Sequence, residues 1–273
     1  MDVASARTRL MSVLSLLALQ REATLNANAS ASALPFITLT YAQSLDGSLS
    51  SARGAPTAIS CADSLRLTHE LRAAHAAILV GVGTALADDP SLTVRLCAGA
   101  NPVPVVVDAR LRLPPRARLI TAARDAASAP IVLHAPYKSD AGVSDARREW
   151  DDRALELRAA GVRLVEVPLE AGSDGHIDLA IAFRTLAAPP FNLNSVMVEG
   201  GASLIASLCR QHANSLEPII GAVVVTLAPF LLPGGLHVGG TAGTTAVRPI
   251  PLRLDFRTIE RVGTDVVALL VVT

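Results

Sequence analysis

The sequence has no excess of either charge, since 24 Lys and Arg balance 24 Asp and Glu over 273 residues. Without a basic excess there is no general field to gather nucleic acid, and without an acidic excess there is none to gather cations. Lysine is nearly absent, with Lys138 alone, so arginine is left to recognise any phosphate through its planar guanidinium. A small-molecule partner fits this balance better than nucleic acid, and a Schiff-base lysine is not expected.

Cysteine is also scarce and has no pattern. Cys61, Cys97 and Cys209 lie far apart and lack the CxxC spacing of disulfide frameworks and zinc sites. We therefore expect reduced, packed thiols in a cytoplasmic protein without a metal site.

No long membrane-spanning run is present, because the apolar stretch 10–19 is shorter than the roughly 20 residues that a bilayer requires. Its apolar residues recur at the i, i+3, i+4, i+7 spacing of an amphipathic helix: Leu10, Val13, Leu14 and Leu17. We expect an appended helix, with a cleaved signal or transit peptide as the alternative. The small, polar stretch 26–33 has the composition of a linker. These features predict a helix and linker over 1–33 and one folded domain over 34–273.

Beyond the linker, short apolar runs alternate with helical patterns. The runs at 77–82, 103–107, 130–134 and 162–167 have the composition of strands buried in parallel sheets. Alternation of this kind predicts an α/β fold, with a mostly parallel central sheet and helices on both faces. The last two runs, 219–228 and 266–273, have no clear helix between them, which predicts an antiparallel hairpin at the C-terminal end.

Ligands of α/β sheets bind beyond the carboxyl ends of the strands. After the run 77–82, Gly81 and Gly83 would allow close approach of a phosphate, and the Thr84 hydroxyl could donate to it. Leu86 replaces the third glycine of the Rossmann fingerprint, so a plain tight turn is the alternative. Asp88 belongs to an Asp-Asp-Pro segment that is either a turn or a polar pair at a cofactor ribose.

A second strand end carries Glu199, followed by Gly200 and Gly201 at the start of a helix pattern over 202–212. The free amides and positive dipole of a helix N-terminus suit a pyrophosphate. In this sequence the residues of that first turn are Ala202, Ser203 and Leu204. The alternative is that Glu199 simply lies near the helix start, where the same dipole favours it.

Three further positions complete the candidate site. Asp46 lies in a Ser-Leu-Asp-Gly turn after the first strand, a common hairpin signal that needs no function. Arg72 ends the early helix and Arg95 follows the Asp-Asp-Pro segment. Each alone is typical of a solvated surface, whereas together they would form a phosphate clamp. His69, one helical turn before Arg72, is expected to be a surface or capping residue rather than a catalytic one.

Taken together, four strings resemble the reductase family of riboflavin biosynthesis, whose fold is dihydrofolate-reductase-like. They are PFITLTYAQSLDG (35–47), LTHELRAAHAAILVGVGTALADDPSLTVR (67–95), PVVVDARLRLP (104–114) and VMVEGGASLI (196–205). The family forms the C-terminal half of a bacterial bifunctional deaminase-reductase and a separate protein in fungi and archaea, and residues 68–72 and 198–202 look closest to the fungal form. The zinc deaminase motif, HxE followed by PCxxC, does not occur in the sequence, so we expect a reductase only.

The resemblance implies roles for the candidate residues. Cofactor contacts to NADPH are implied for Thr84, Asp88 and residues 201–207, which include Ala202, Ser203 and Leu204, and the glycine turns at Gly81, Gly83 and Gly200 belong to the same region. Substrate contacts are implied for Arg72, Leu92, Arg95 and Glu199, with the arginines taking a phosphate. Asp46 would lie beside the nicotinamide, and Glu199, Asp46 or water would supply the proton.

The reaction implied is hydride transfer to C1′ of a phosphorylated ribosylamino-pyrimidine in its diamino form, by a homodimeric enzyme. The alternatives are the deaminated pyrimidine as substrate, another pterin-like heterocycle, and a nucleotide-binding protein without turnover. The sequence departs from the family pattern at Ser48, where many relatives carry Lys or Arg, and at Pro56 and Ala58, where bacterial relatives carry cofactor contacts.

Overall fold

Strands and helices alternate along the chain in the computed structural model, which describes residues 3–27, 34–52, 54–55, 57–123, 128–137, 144–173, 175–238 and 252–272. The strands are β1 (Phe36–Ser44), β2 (Ser48–Ser50), β3 (Ala77–Gly81), β4 (Val103–Val107), β5 (Ile131–His134), β6 (Arg163–Glu166), β7 (Ser195–Glu199), β8 (Ala222–Ala228), β9 (Leu236–His237), β10 (Leu254–Val262) and β11 (Asp265–Val272). The helices are α1 (Val3–Ala27), α2 (Ala62–Ala73), α3 (Val82–Asp88), α4 (Arg118–Thr121), α5 (Ser144–Ala159), α6 (Leu179–Ala187) and α7 (Ala202–Asn214).

Nine of these strands form one sheet in the order β10-β11-β8-β1-β7-β3-β4-β5-β6. Pairing is parallel from β8 to β6 and antiparallel at β8–β11 and β11–β10. The mostly parallel sheet and the antiparallel pairing of the last two predicted runs, β8 and β11, are therefore as predicted, although these two strands do not form a hairpin with each other. The hairpin partner of β11 is β10, a strand that the sequence pattern did not predict.

Side-chain alternation along the strands gives the sheet two apolar faces. On one face, residues such as Ile37 and Val198 pack with α6 and α7. On the opposite face, Phe36 and Met197 pack with α1 and α2, while Val106 packs with α3, α4 and α5 further along the sheet. Helices thus cover both faces, as predicted.

The N-terminal helix α1 packs directly on this core. Val13 and Leu17 are buried among residues of α2 and the hairpin strands. Arg21 donates hydrogen bonds to the carbonyl oxygen of Ala74, 2.9 Å away, and to Oδ1 of Asn194, 3.1 Å away. The helix predicted from the spacing exists, and it is docked on the fold; the linker residues 28–33 lie outside the described ranges. Within the described residues, no helix has the length and apolar character needed to cross a bilayer.

The segment after β8 is described only as far as residue 238. In that part, β9 pairs antiparallel with β2, and Ser48 lies opposite His237. The Ser-Leu-Asp-Gly turn is present, with the Gly47 amide donating to the Ser44 carbonyl and a φ of 82° at Gly47. It leads from β1 into β2, but β2 pairs with β9 rather than with β1, so the hairpin suggested by that turn is wrong.

Candidate active site

The candidate residues collect at the carboxyl ends of three neighbouring parallel strands, β1, β7 and β3. The ends are not level. Thr40 of β1 lies opposite Glu199, the last residue of β7, whereas β1 continues to Ser44 and pairs there with Ala228 of β8. Four residues of strand amount to about 13 Å. The edge of the sheet therefore has a step between Glu199 and the turn that carries Asp46.

Two strand-to-helix junctions pack against each other beside this step. A Cβ placed on Gly201, at the start of α7, would lie 3.0 Å from the hydroxyl oxygen of Thr84 in α3, and one placed on Gly81 would lie 3.7 Å from Cβ of Leu204. Gly200 is equally close to its own helix, because a Cβ there would lie 2.9 Å from Cγ1 of Ile205. The absence of side chains at these glycines lets the two helix starts approach closely.

The segment around Gly83 is a helix and not the tight turn that the two glycines suggested. Helix α3 begins at Val82 directly after β3, and Gly81 is its N-cap with an ordinary φ of −78°. Gly83 is exposed, and a Cβ there would meet nothing within 4 Å. This position leaves open space above the first turn of α3.

Helix α7 presents its predicted residues in two ways. Its N-cap Gly201 offers no side-chain cap, and Ser203 is exposed, whereas Ala202 and Leu204 are buried. Ser207, at the end of the implied stretch, is buried and accepts hydrogen bonds from Arg210 and Gln211. The first turn of α7 can therefore face a ligand, while Ser207 contributes to packing.

The two adjacent aspartates after α3 have different environments. Asp89 ends the helix in the left-handed region with a φ of 39°, and its Oδ1 accepts a hydrogen bond from the Arg118 amide, 2.8 Å away. It is a turn residue. Asp88 is exposed, and partial burial of its carboxyl raises its pKa.

Arg72 and Glu199 form a bidentate ion pair. Nε and Nη2 of Arg72 donate to the two carboxylate oxygens of Glu199 at 2.6 and 2.7 Å, with side-chain exposures of 10% and 20%. Burial would lower the pKa of Arg72, but its hydrogen bonds to Glu199 raise it above the ordinary value. Charge-assisted pairs of this geometry are among the strong hydrogen bonds of proteins. Glu199 thus engages the arginine with both oxygens.

Arg95 reaches the same place from the segment after α3. Nη1 of Arg72 donates to the carbonyl oxygen of Thr93, and Nη1 of Arg95 donates to the Thr93 hydroxyl, each at 3.2 Å. Arg95 also hydrogen-bonds the hydroxyl of Ser91 and is exposed. The structure therefore brings the two arginines together at Thr93, with Arg72 paired and Arg95 facing solvent.

Leu92 lies in the same segment but turns inward. Its side chain is buried in the core with those of α3 to α5, and its φ is 53°. Any contact of Leu92 with a substrate would have to come from its main chain.

His69 is buried, with 1% exposure, so its interpretation as a surface residue is wrong. Its Nδ1 accepts a hydrogen bond from the main-chain amide of Arg95, 2.9 Å away. The reason for the error is that this partner lies 26 residues further along the chain, outside any local pattern.

Asp46 is held as a carboxylate within its turn. The Ser44 hydroxyl donates to it, as does the Leu232 amide, 3.0 Å from Oδ1. These hydrogen bonds lower the pKa of Asp46 below its usual value. A carboxylate so stabilised is a hydrogen-bond acceptor at neutral pH rather than a source of protons.

With this geometry established, comparison with known proteins identifies the family. The sequence matches the RibD C-terminal domain family over residues 35–268. The chain belongs to this family.

Relatives of this chain include fungal, archaeal and bacterial proteins. The 2,5-diamino-6-ribosylamino-4(3H)-pyrimidinone 5′-phosphate reductase of Eremothecium gossypii is 34% identical over 219 residues, which are 77% of this chain and 79% of that protein. The protein of the same name in Methanothermobacter thermautotrophicus is 34% identical over 73% of this chain and 80% of its own. The structure of Acinetobacter baumannii RibD superposes with a TM-score of 0.68 at 23% identity, over 91% of this chain and 60% of that one. The predicted family and fold class are confirmed.

At one of the positions where this chain departs from the family pattern, the structure gives a reason. Ser48 is buried, and its hydroxyl donates to the Leu232 carbonyl, 3.0 Å away. A Cβ on Gly235 would lie 2.5 Å from the Ser48 hydroxyl oxygen, so the loop at Gly235 packs closely on the Ser48 side chain. Ala58 is exposed, and Pro56 lies outside the described residues.

Proposed function

We propose that this protein reduces 2,5-diamino-6-ribosylamino-4(3H)-pyrimidinone 5′-phosphate to its ribitylamino product with NADPH, in riboflavin biosynthesis. The names of the Eremothecium and Methanothermobacter relatives support the reductase activity and the diamino substrate. The observation that carries the proposal is the meeting of Arg72 and Arg95 at Thr93. Arg72 is paired with Glu199, whereas the exposed guanidinium of Arg95 beside it can receive a phosphate.

The junctions at Gly81–Thr84 and Gly200–Leu204 fit an extended nucleotide. The first turn of α7 has no side-chain cap, and there is open space over Gly83. A helix N-terminus of this kind favours a pyrophosphate. We assign Thr84, Asp88, Gly81, Gly83 and residues 200–204 to the cofactor, with Asp88 toward a ribose. Bound NADPH would supply a hydride to C1′ of the substrate.

The reduction needs the sugar in its open form. Breaking the bond between C1′ and the ring oxygen, with loss of the amine N–H proton and gain of a proton by that oxygen, gives a C1′=N imine and a hydroxyl. Addition of a hydride to C1′ and a proton to nitrogen then gives the ribityl amine. The protein's part is to hold the phosphate end through Arg95 and to place C1′, since positioning contributes much of such a barrier.

The hydrogen bonds in the site reduce the number of groups that could supply the proton. Glu199 uses both oxygens on Arg72, and Asp46 accepts from Ser44 and Leu232. We therefore assign Glu199 to holding Arg72 and Asp46 to holding the turn, and we propose water as the immediate proton source.

The proposal includes a homodimer in the cytoplasm, with the reductase domain over 34–273 and α1 packed against it. The strand β10 forms one edge of the sheet and exposes Phe256 and Ile259. Apolar side chains on an edge strand are typical of a surface that a second subunit covers.

The direct test is turnover. Purified protein, NADPH and the diamino substrate should give loss of NADPH absorbance and a ribityl product by mass spectrometry, with the deaminated pyrimidine assayed beside it. Arg95→Ala should raise KM for the phosphorylated substrate roughly 10- to 100-fold, as loss of a charged hydrogen bond implies, and should leave KM for the dephosphorylated nucleoside unchanged. Absence of turnover would favour a binding protein, and equal KM values in Arg95→Ala would remove the phosphate assignment.

A further inference from the structure

The segment 91–95 is fastened to the rest of the fold at successive residues. Leu92 is buried in the core, the Thr93 carbonyl accepts from Arg72, and the Val94 amide donates to Oδ1 of Asn101, 2.8 Å away. The last fastening is the Arg95 amide, which donates to Nδ1 of His69. This hydrogen bond fixes the main chain from which the Arg95 side chain extends.

His69 connects the main chain of Arg95 to helix α2, which also carries Arg72. It lies on α2 one turn before Arg72, with 1% exposure, so its ring is locked by packing. Unlike that of Arg72, the Arg95 side chain is exposed, and it donates hydrogen bonds to the hydroxyls of Ser91 and Thr93. The Arg95 side chain is thus oriented by these two hydroxyls, while the main chain that carries all three residues is fixed at Arg95 by the hydrogen bond to His69.

From this contact we infer that His69 is a positioning residue for substrate recognition: it holds the main chain of Arg95 so that the guanidinium meets the substrate phosphate. The inference rests on the proposed function, because it takes Arg95 as the phosphate ligand. His69 itself touches neither phosphate nor cofactor in this role.

The hydrogen bond requires a neutral ring. Nδ1 can accept only when it carries no proton, so the remaining proton of the neutral imidazole lies on Nε2. The charged groups that face the ring are Arg72 from its own helix, Arg95 from the segment after α3, and Glu199 from β7. Burial and the two arginines lower the pKa of His69, while Glu199 acts in the opposite direction. The acceptor is therefore available at neutral pH and is lost on acidification below the lowered pKa.

Two substitutions separate positioning from simple packing. His69→Asn keeps an acceptor oxygen near the position of Nδ1, and His69→Leu fills the space without an acceptor. We expect His69→Leu to raise KM for the phosphorylated substrate about tenfold, the usual effect of losing one hydrogen bond, with kcat and KM for NADPH within about twofold. His69→Asn should restore KM to near the parent value. His176→Leu, at an exposed histidine away from the site, serves as the matched control.

The decisive comparison uses Arg95→Ala as background. If His69 acts through Arg95, His69→Leu should add little to KM in the Arg95→Ala protein, as expected for coupled residues. Additive effects, or a KM for His69→Asn as high as that of His69→Leu, would overturn the inference. An unchanged KM in Arg95→Ala itself would refute the phosphate assignment instead, so the two failures are distinguishable.

Discussion

His75 should make the stability of the fold depend on pH. The ring is buried between helix α2 and strand β1, where Nδ1 donates to the Leu71 carbonyl at 2.7 Å and Nε2 accepts from the Thr38 hydroxyl at 2.8 Å. This arrangement satisfies both nitrogens of the neutral ring. Burial, with a smaller effect of Arg21, lowers the pKa of His75 from 6.5 to about 4.

The sign and size of this pH dependence follow from the difference between the pKa of His75 in the folded chain and that in the unfolded chain. Well above pH 6.5 both the folded and the unfolded chain carry a neutral His75, so its titration does not change the free energy of unfolding. Between pH 6.5 and about 4 only the unfolded chain takes up the proton, and stability falls as the pH falls. At about 1.4 kcal/mol per tenfold change in proton affinity, the loss is about 2 kcal/mol at pH 5 and about 3 kcal/mol at saturation.

The assay is urea unfolding at pH 8 and pH 5, followed by fluorescence of Trp150, the single tryptophan. His75→Gln should be less stable than the parent at pH 8 but should lose about 2 kcal/mol less on going to pH 5. Other titrating groups are common to both proteins and cancel in the difference. His176→Gln, at an exposed histidine, should behave as the parent does. An equal loss of stability in His75→Gln and the parent would refute the reasoning.

Three further predictions concern the site. Gly201→Ala should push Thr84 aside, because the added Cβ would lie 3.0 Å from its hydroxyl oxygen; we expect a stability loss of about 1 kcal/mol and a higher KM for NADPH. Gly83→Ala, in open space within a helix, should instead raise stability by about 0.5–1 kcal/mol in urea unfolding of the free protein, and a loss there would contradict this account. Glu199→Gln should cost about 2 kcal/mol of stability, because Arg72 loses a charged partner, and should raise KM for the substrate with kcat within about tenfold. A drop in kcat beyond a hundredfold with KM intact would instead identify Glu199 as the proton donor.

Much of the fold could be predicted because buried parallel strands have a plain signature. The run 103–107 coincides with β4, and the ends of the predicted strands at 77–82 and 130–134 differ from β3 and β5 by a single residue. The strand β10 could not be found this way. It lies at the sheet edge with a mostly exposed face, and its sequence LDFRTIERV mixes charged with apolar residues. Edge strands need no apolar alternation, so periodicity does not reveal them.

The candidate site divides in the same manner. Glycines and a threonine at strand ends are local signals, and these residues lie where α3 and α7 begin. The ion pair of Arg72 with Glu199 joins residues 127 positions apart, and Leu92 is buried through a left-handed main chain. Neither the ion pair nor the burial of Leu92 produces a local pattern in the sequence. Thr93, which both arginines contact, had no signal beyond its place in the string that carried the family resemblance.

The step between the ends of β7 and β1 separates the two residues that carry the carboxylates of the site, Glu199 and Asp46. Glu199 lies level with Thr40, while Asp46 is tied to Ser44, about 13 Å further along the strand. A side chain must come within about 3 Å of an atom to exchange a proton with it directly. The two carboxylates therefore cannot both exchange a proton directly with the same sugar oxygen. A substrate that contacts both must extend along the strand direction, across the step.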